Sequence, residues 1–155
     1  MSHPVRHVGE RSTVAEAARI MRDLDVGAVP VCDGQHRLVG VITDRDIALR
    51  VAAEGCDSAA TEVKDVMTRD PIACDVDSRL SDVAGVMEKF QIRRVPIVDS
   101  SDKVVGLVTL DDLLALLSEE MADMGKGIAG ALFRRPSQSE PAETAMPLNW
   151  IICYL

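Results

Sequence analysis

The feature that most constrains this 155-residue chain is an internal repeat. At an offset of 66 residues, positions 14–49 align with positions 80–115 without a gap. The Gly, Pro, Thr and Asp residues that carry the motifs coincide in the two copies, so chance does not explain the alignment. The chain therefore contains two copies of one supersecondary unit. The identical pairs are Ala18/Ala84, Met21/Met87, Val29/Val95, Pro30/Pro96, Asp33/Asp99, Val39/Val105, Gly40/Gly106, Thr43/Thr109 and Asp46/Asp112.

Each copy carries the same order of predicted elements. An amphipathic stripe that begins at Val14 or at Leu80 predicts a helix, and Thr13 with Glu16 forms a capping box before the first one. Two β-rich runs separated by a turn follow, and a second helix begins at Asp44 or Leu110. A short strand is expected before each copy, around Val8 and Cys74. The sequence thus predicts an α/β (α+β) fold of two helix-strand-strand-helix repeats. The predicted strands are Ala28–Cys32, Leu38–Thr43, Val95–Val98 and Val104–Thr109.

The domain boundaries follow from this pattern. After the second copy the last helix is predicted to continue, because Leu117, Met121, Met124, Ile128 and Leu132 extend its apolar stripe, and such a stripe is a candidate self-association surface. A tail rich in Pro, Ser and Glu is predicted to be disordered. We expect repeat 1 at 1–55, a linker with a short helix at 56–69, repeat 2 at 70–118, a helix extension at 119–135 and the tail at 136–155.

Charge and cysteine content narrow the class of protein. The formal net charge is −8 and no Lys/Arg-rich block occurs, which disfavours a nucleic-acid partner. No apolar run reaches the roughly 20 residues that span a bilayer, and none has signal-peptide length. The four cysteines form no C-x-x-C pair and are predicted to be reduced, mostly buried thiols. We therefore expect a soluble, cytoplasmic protein with no membrane partner.

A Gly-x-x-Thr-x-x-Asp motif closes the second strand of each copy, as Gly40 to Asp46 and as Gly106 to Asp112. Thr-x-x-Asp after a strand is itself a helix capping box, and this structural role alone would explain why Thr and Asp stand at these positions. The Gly would also let a ligand approach the strand closely, and a helix N-terminus suits a phosphate while an Asp can accept bonds from ribose hydroxyls. Capping and nucleotide contact are compatible uses of one motif.

The duplicated unit resembles a tandem pair of cystathionine-β-synthase (CBS) domains, a Bateman module, over about Val5 to Leu117. The resemblance rests on the two Gly-x-x-Thr-x-x-Asp motifs and on the Pro strands Val29-Pro30-Val31 and Val95-Pro96-Ile97. It implies repeats packed as a pseudo-two-fold pair with two clefts that bind AMP, ADP, ATP or S-adenosylmethionine. It also implies a homodimer. In the family the Asp of the motif holds the ribose and the Thr lies near ribose or phosphate.

Ten residues are therefore candidates for ligand binding. Two arginines join the motif residues because the copies differ near the expected clefts: Arg45 stands where the second copy has Asp111, and Arg93-Arg94 stand where the first has Gly27-Ala28. The candidates are Thr43, Asp46, Thr109, Asp112, Arg45, Arg94, Val29, Pro30, Val95 and Pro96.

Two functions are compatible with this reading. The first is a regulatory sensor in which an adenosine nucleotide enters a cleft between the repeats and alters an unknown regulated protein. The alternative is a structural or interaction protein that has the same fold and empty clefts and that acts through its dimer surfaces. We expect no enzyme, since no Ser-His-Asp or Cys-His set is apparent, and neither a metal nor a required cofactor, since the three His residues lack ligand spacing.

Overall fold

A computed structural model describes residues 5–133, and their side chains up to residue 130. It confirms the mixed α/β order that the repeat predicts. The elements are β1 (Val8–Gly9), α1 (Val14–Leu24), β2 (Ala28–Cys32), β3 (Leu38–Thr43), α2 (Asp44–Ile47) with a π-helical continuation (Ala48–Ala52), a 3-10 turn (Val63–Asp65), β4 (Thr68–Arg69), β5 (Cys74–Asp75), α3 (Leu80–Phe90), β6 (Arg94–Val98), β7 (Val104–Thr109) and α4 (Leu110–Phe133).

The repeat extends to the hydrogen-bond register of the sheets. The first sheet has the order β1-β2-β3-β4 and the second the order β5-β6-β7. In both, the short leading strand is parallel to the next strand, which is antiparallel to the third. Pro30 lies opposite Val41 and its counterpart Pro96 lies opposite Leu107. The two short leading strands predicted around Val8 and Cys74 are both present.

Local sequence explains where the first helix of each repeat begins and ends. Thr13 Oγ1 accepts a hydrogen bond from the Glu16 N–H, and the Glu16 carboxylate accepts one from the Thr13 N–H, which is the predicted capping box. α1 ends at Asp25, whose φ of 54° is left-handed. α3 ends in the same way at Gln91, with a φ of 53°. The helices therefore have matched lengths and present matched apolar faces to their sheets.

Each repeat has its own hydrophobic core. Both cores consist of aliphatic and methionine side chains, with one cysteine in the second, as the 3% aromatic content requires. The first cluster is Val8, Val14, Ala17, Met21, Val29, Val31, Ile42, Val51, Val63, Val66 and Met67. The second is Cys74, Val83, Met87, Val95, Ile97, Val108 and Leu113. β2 also packs against β7 of the other repeat, and it is buried along its whole length.

The linker differs from the sequence prediction. A short helix is expected at Thr61–Met67, but only the 3-10 turn Val63–Asp65 forms, and the chain then extends as β4 along β3. The physical reason is that Val63 and Met67 are both buried in the first core, so the segment is drawn onto the sheet. Tertiary packing thus overrides the local helical preference.

Within residues 5–133, no helix combines the length and the apolar character needed to cross a membrane. α4 continues without interruption from repeat 2 to Phe133. The predicted disordered tail at 136–155 lies outside the described residues, as does Cys153. The domain boundaries given above remain predictions.

We expect the buried and exposed cysteines to differ in the reactivity of their thiols. Cys32 and Cys74 are buried and Cys56 is exposed. Burial raises the pKa of the Cys32 thiol to about 11, and the neighbouring Asp33 charge adds to the effect, so the reactive thiolate is absent near pH 8. In a Cys153→Ser background, a disulfide reagent at pH 8 should label one thiol rapidly and the other two only in denaturant. The rapid phase should vanish in Cys56→Ser, and rapid labelling of Cys32 would contradict the burial.

Candidate functional site

A cleft of about 1130 Å³ lies between the two repeats. Both repeats contribute to its walls, so the cleft exists only when they are packed together. The first repeat and its leading segment supply Val5, Arg6, Ile20, Leu24, Asp25, Val26, Gly27, Ala28, Val29, Pro30, Asp44 and Arg45. The second supplies Arg93, Arg94, Leu107, Thr109, Leu110, Asp111 and Asp112.

Strand ends and helix starts position these side chains. β2 contacts β7 of the other repeat, and Val29 and Pro30 line the cleft together with Thr109 at the end of β7. There α4 begins at Leu110, so the positive end of the dipole of a 24-residue helix lies at the cleft. The turns at the far ends of the sheets are also joined, because the Leu38 N–H donates to the Asp102 carbonyl at 3.1 Å.

The second motif forms a complete capping box and still offers an acceptor. The Thr109 N–H and hydroxyl donate to Asp112 Oδ2 at 2.8 and 2.7 Å, and the Asp112 N–H donates to Thr109 Oγ1 at 3.2 Å. Both bonds to the carboxylate use the same oxygen. Within residues 5–133, Asp112 Oδ1 has no hydrogen-bond or ion-pair partner, and the side chain is half-buried at the cleft wall. One oxygen therefore serves the helix and the other remains for a ligand.

The first motif has the same cap but a different neighbour. Asp46 Oδ1 lies 3.7 Å from Arg50 Nη1, and the same nitrogen donates to the Val66 carbonyl at 2.7 Å. The counterpart of Arg50 in the second repeat is Leu116, which makes neither contact. Thr43 and Asp46 do not line the cleft. The structure thus separates two motifs that the sequence presents as equivalent.

The glycine of the first motif is crowded by the protein itself. A Cβ atom at Gly40 would lie 2.5 Å from the Met67 sulfur and 3.0 Å from the Thr68 carbonyl oxygen. The predicted role of this glycine is close approach of a ligand to the strand. In the described structure, the approaching group is instead the segment that leads into β4. Gly40 is thus required for the packing of Met67, whatever binds nearby.

Four arginines and four aspartates face the cleft, although the whole chain carries a net charge of −8. Arg94 Nη2 lies 3.9 Å from Asp44 Oδ1, and a Cβ at Gly27 would lie 2.5 Å from the same nitrogen. The absence of a side chain at Gly27 therefore makes room for the Arg94 guanidinium. The Asp44 side chain is 63% exposed, so this ion pair is solvated and weak, and an anionic ligand can compete for the arginine.

The cleft gathers part of the predicted site. Six of the ten candidates line it, namely Val29, Pro30, Arg45, Arg94, Thr109 and Asp112, whereas Thr43, Asp46, Val95 and Pro96 do not. Val95 is fully buried in the second core. Arg6 and Asp25 are wall residues that the sequence did not predict. Arg6 precedes the aligned positions 14–49, and at the same offset the second copy has Ile72, so the repeat did not mark this arginine.

Comparison with known proteins identifies the family. The CBS domain family matches residues 1–53 and 63–119, one match for each repeat. The chain therefore belongs to the CBS domain family and carries two of its domains in tandem. This confirms the resemblance inferred from the Pro strands and the Gly-x-x-Thr-x-x-Asp motifs.

Individual relatives agree with this assignment. The chain is 39% identical over 120 residues to hypoxic response protein 1 of Mycobacterium tuberculosis, covering 77% of this chain and 82% of that protein. It is 42% identical to the CBS domain-containing protein YhcV of Bacillus subtilis, covering 73% and 79%. The solved CBS domain pair of protein MJ0100, in complex with 5′-methylthioadenosine and S-adenosylmethionine, matches with a TM-score of 0.68 and 32% identity, covering 77% and 93%.

A metal distinguishes one of the solved relatives. The crystal structure of hypoxic response protein I contains two coordinated zinc ions and matches this chain with a TM-score of 0.65 and 35% identity, covering 72% and 89%. Among residues 5–133 of the present chain, no group of three or more His, Cys, Asp or Glu side chains has an arrangement that could hold a metal ion.

Proposed function

We propose that this protein is a regulatory module that binds an adenosine-containing ligand, such as AMP, ADP, ATP or S-adenosylmethionine, in the cleft between its CBS domains. One observation carries the proposal. A single cleft brings together the Pro strand of one repeat, the Thr-x-x-Asp motif of the other and four arginines. The solved MJ0100 pair, which holds two adenosine compounds, supports the ligand class.

The walls have the chemistry that an adenosine needs. Val26, Val29 and Pro30 form an apolar surface for the flat face of the base. Asp112 Oδ1 is an acceptor at the wall, and a carboxylate can accept hydrogen bonds from two vicinal ribose hydroxyls. Since Oδ2 of the same side chain is bonded to Thr109, the carboxylate is held in place before the ligand arrives.

The charged end of the cleft suits a phosphate or another anionic group. Arg45 and Arg94 approach it from different repeats, and the N-terminus of α4 adds its dipole. A ligand that bridges these groups contacts both repeats at once. It therefore stabilises one relative arrangement of the two domains over others, which is the requirement for a regulatory effect on a partner. The proposal involves binding without a catalytic step.

The test is a calorimetric titration of the full-length protein with AMP, ATP, S-adenosylmethionine and 5′-methylthioadenosine. The same ligands are titrated into Asp112→Asn and Asp46→Asn. We expect Asp112→Asn to weaken the tightest ligand roughly tenfold or more, the usual effect of losing a charged hydrogen bond. Asp46→Asn should change affinity less than about threefold, because Asp46 lies outside the cleft and is occupied by Arg50.

The two variants are matched controls for each other. Both remove the same capping carboxylate at the same place in the repeat, so both should lose about 1 kcal/mol of stability or less. Equal loss of affinity in the two variants would contradict the assignment of the ligand to this cleft. No heat with any ligand, together with an unshifted melting temperature, would favour the alternative, an interaction protein whose clefts are empty.

A further inference from the structure

Two histidine side chains meet at the edge of the first repeat, and neither lines the cleft between the repeats. His7 Nε2 lies 3.2 Å from His36 Nδ1, and the two rings are nearly perpendicular, at 86°. The residues are 29 positions apart in the sequence. The fold joins them because β1, which follows His7, is parallel to β2, which leads into the turn that carries His36. We refer to these two side chains as the histidine pair.

A backbone carbonyl determines which nitrogen of His7 carries the proton. His7 Nδ1 lies 3.2 Å from the carbonyl oxygen of Val5. A carbonyl oxygen only accepts hydrogen bonds, so Nδ1 is the donor, and in the neutral ring Nε2 keeps a free lone pair. Histidines that bind metals usually have this arrangement, in which one nitrogen donates to a carbonyl and the other faces the ion.

The separation of the two nitrogens also fits a shared ion. Imidazole nitrogens bind zinc at about 2.0–2.1 Å, so two of them on a tetrahedral ion lie about 3.3 Å apart. The observed distance is 3.2 Å. Without an ion, the His36 Nδ1–H donates to His7. With an ion in its place, the His36 proton resides on Nε2, and the exposed ring can rotate to direct its lone pair at the metal.

The turn that carries His36 is well fixed. The Asp33 carboxylate accepts hydrogen bonds from the N–H groups of Gln35 and Arg37 at 2.8 and 3.0 Å, and from Arg37 Nε at 2.9 Å. The His36 N–H also donates to the Asp33 carbonyl, at 3.0 Å. His36 itself has a left-handed φ of 63°. One ligand is thus held in place by the turn and the other by the Val5 carbonyl.

The second repeat forms the same turn and the same leading strand without histidines. At the offset of 66 residues, Asp102 stands in the place of His36 and has a φ of 60°. Ala73 stands in the place of His7, directly before β5. The repeated architecture therefore requires neither imidazole, and structural need does not account for the pair.

We propose that the histidine pair binds a divalent transition-metal ion of the kind that prefers imidazole, such as Zn²⁺. Among residues 5–133, no third His, Cys, Asp or Glu side chain joins the two, so water completes the coordination. Hard ions such as Mg²⁺ prefer oxygen ligands and are poor candidates. The bound ion fastens the segment before β1 to the turn between β2 and β3.

This attachment has a consequence for the cleft, and the consequence rests on the function proposed above. Val5 and Arg6, directly before His7, line the cleft wall. An ion on the histidine pair restrains this segment, so Arg6 loses less conformational freedom when it contacts an anionic ligand. Metal and nucleotide should therefore strengthen the binding of each other by the same factor, because coupling between sites is reciprocal.

The test of the site is a calorimetric titration of the full-length protein with ZnCl₂ and, separately, MgCl₂. Cys56→Ser and Cys153→Ser are present throughout, so that these two thiols do not compete for zinc. We expect one Zn²⁺ per chain and no heat with Mg²⁺. His7→Ala and His36→Asn should each lower the zinc affinity roughly tenfold or more, because each removes half of a chelating pair. His3→Ala is the matched control and should change the affinity less than about threefold.

The variants are chosen to keep the fold. Ala is the residue of the second repeat at the place of His7, and Asn tolerates the left-handed backbone of His36. Without metal, their melting temperatures should match that of the parent, whereas zinc should raise the melting temperature of the parent alone. The double variant should bind zinc no more weakly than either single variant.

Three results would overturn the metal site. These are the absence of zinc binding, zinc binding that survives in both His7→Ala and His36→Asn, and equal losses in all three histidine variants. The last result would indicate independent imidazoles and no shared ion.

The link to the cleft is tested by titrating AMP with saturating Zn²⁺ and again with EDTA. We expect zinc to tighten AMP binding about fivefold. Arg6→Ala should lose this gain and still bind zinc like the parent. Equal AMP affinity with and without zinc would contradict the link. Absence of AMP binding in both conditions would contradict the function proposed for the cleft, and the zinc titration would still decide the metal site.

Discussion

Arg94→Glu is expected to weaken ATP binding roughly a hundredfold, since each lost or reversed charged contact is worth more than the roughly 1.4 kcal/mol that a tenfold change requires. The Arg94 side chain is 34% exposed and sits in the space that Gly27 leaves free, and among residues 5–130 its one ion pair is the solvated contact with Asp44. Its guanidinium is therefore available to an anionic group. The substitution also places a carboxylate close to Asp44. The repulsion between these two negative charges adds to the loss of affinity.

The ligand series makes the prediction specific. In Arg94→Glu, affinity for ATP should fall more than affinity for AMP, and 5′-methylthioadenosine, which has no phosphate, should bind almost as before. Arg22→Glu provides the control, because it makes the same charge change on a side chain that is 73% exposed and outside the cleft. Equal loss for ATP and 5′-methylthioadenosine would contradict a phosphate contact and indicate a distorted cleft instead.

Ile97→Ala is expected to lower the free energy of unfolding by about 3 kcal/mol, the middle of the range for such core truncations. Ile97 is fully buried in β6, the middle strand of the second sheet, where it packs in the second core and lies opposite Gly106 of β7. The remaining cavity cannot close easily, because strands on either side fix the backbone. For a domain of ordinary stability this is a large fraction of the total.

Urea unfolding followed by circular dichroism measures the effect. Ile97→Val removes only one methylene group and should cost about 1 kcal/mol, so the two variants form a graded pair. A loss below about 1 kcal/mol for Ile97→Ala would show that the second core is loosely packed. Because β6 also carries Arg94 at its start, the ligand titrations should be compared only among variants that remain folded at the working temperature.

The sequence by itself determined the repeated unit. The gapless alignment of the two copies predicted both helix-strand-strand-helix units, and the matched Pro30 and Pro96 occupy matched places in the sheet register. The capping boxes at Thr43 and Thr109 were also predictable. These features depend on residues that are close together in the chain, so local periodicity and capping chemistry are enough to predict them.

Only the tertiary structure decided which residues share a site. The motifs appear equivalent in sequence, yet Asp112 faces the cleft while Asp46 lies beside Arg50 and outside it. Likewise, the linker forms β4 because Met67 packs over Gly40, and Arg6 reaches the cleft from the segment before β1, where the second repeat has Ile72. The cleft is built from both repeats, so its composition depends on contacts between residues that are distant in the chain. The repeat by itself predicts two equivalent sites, and the packing of the repeats makes them different.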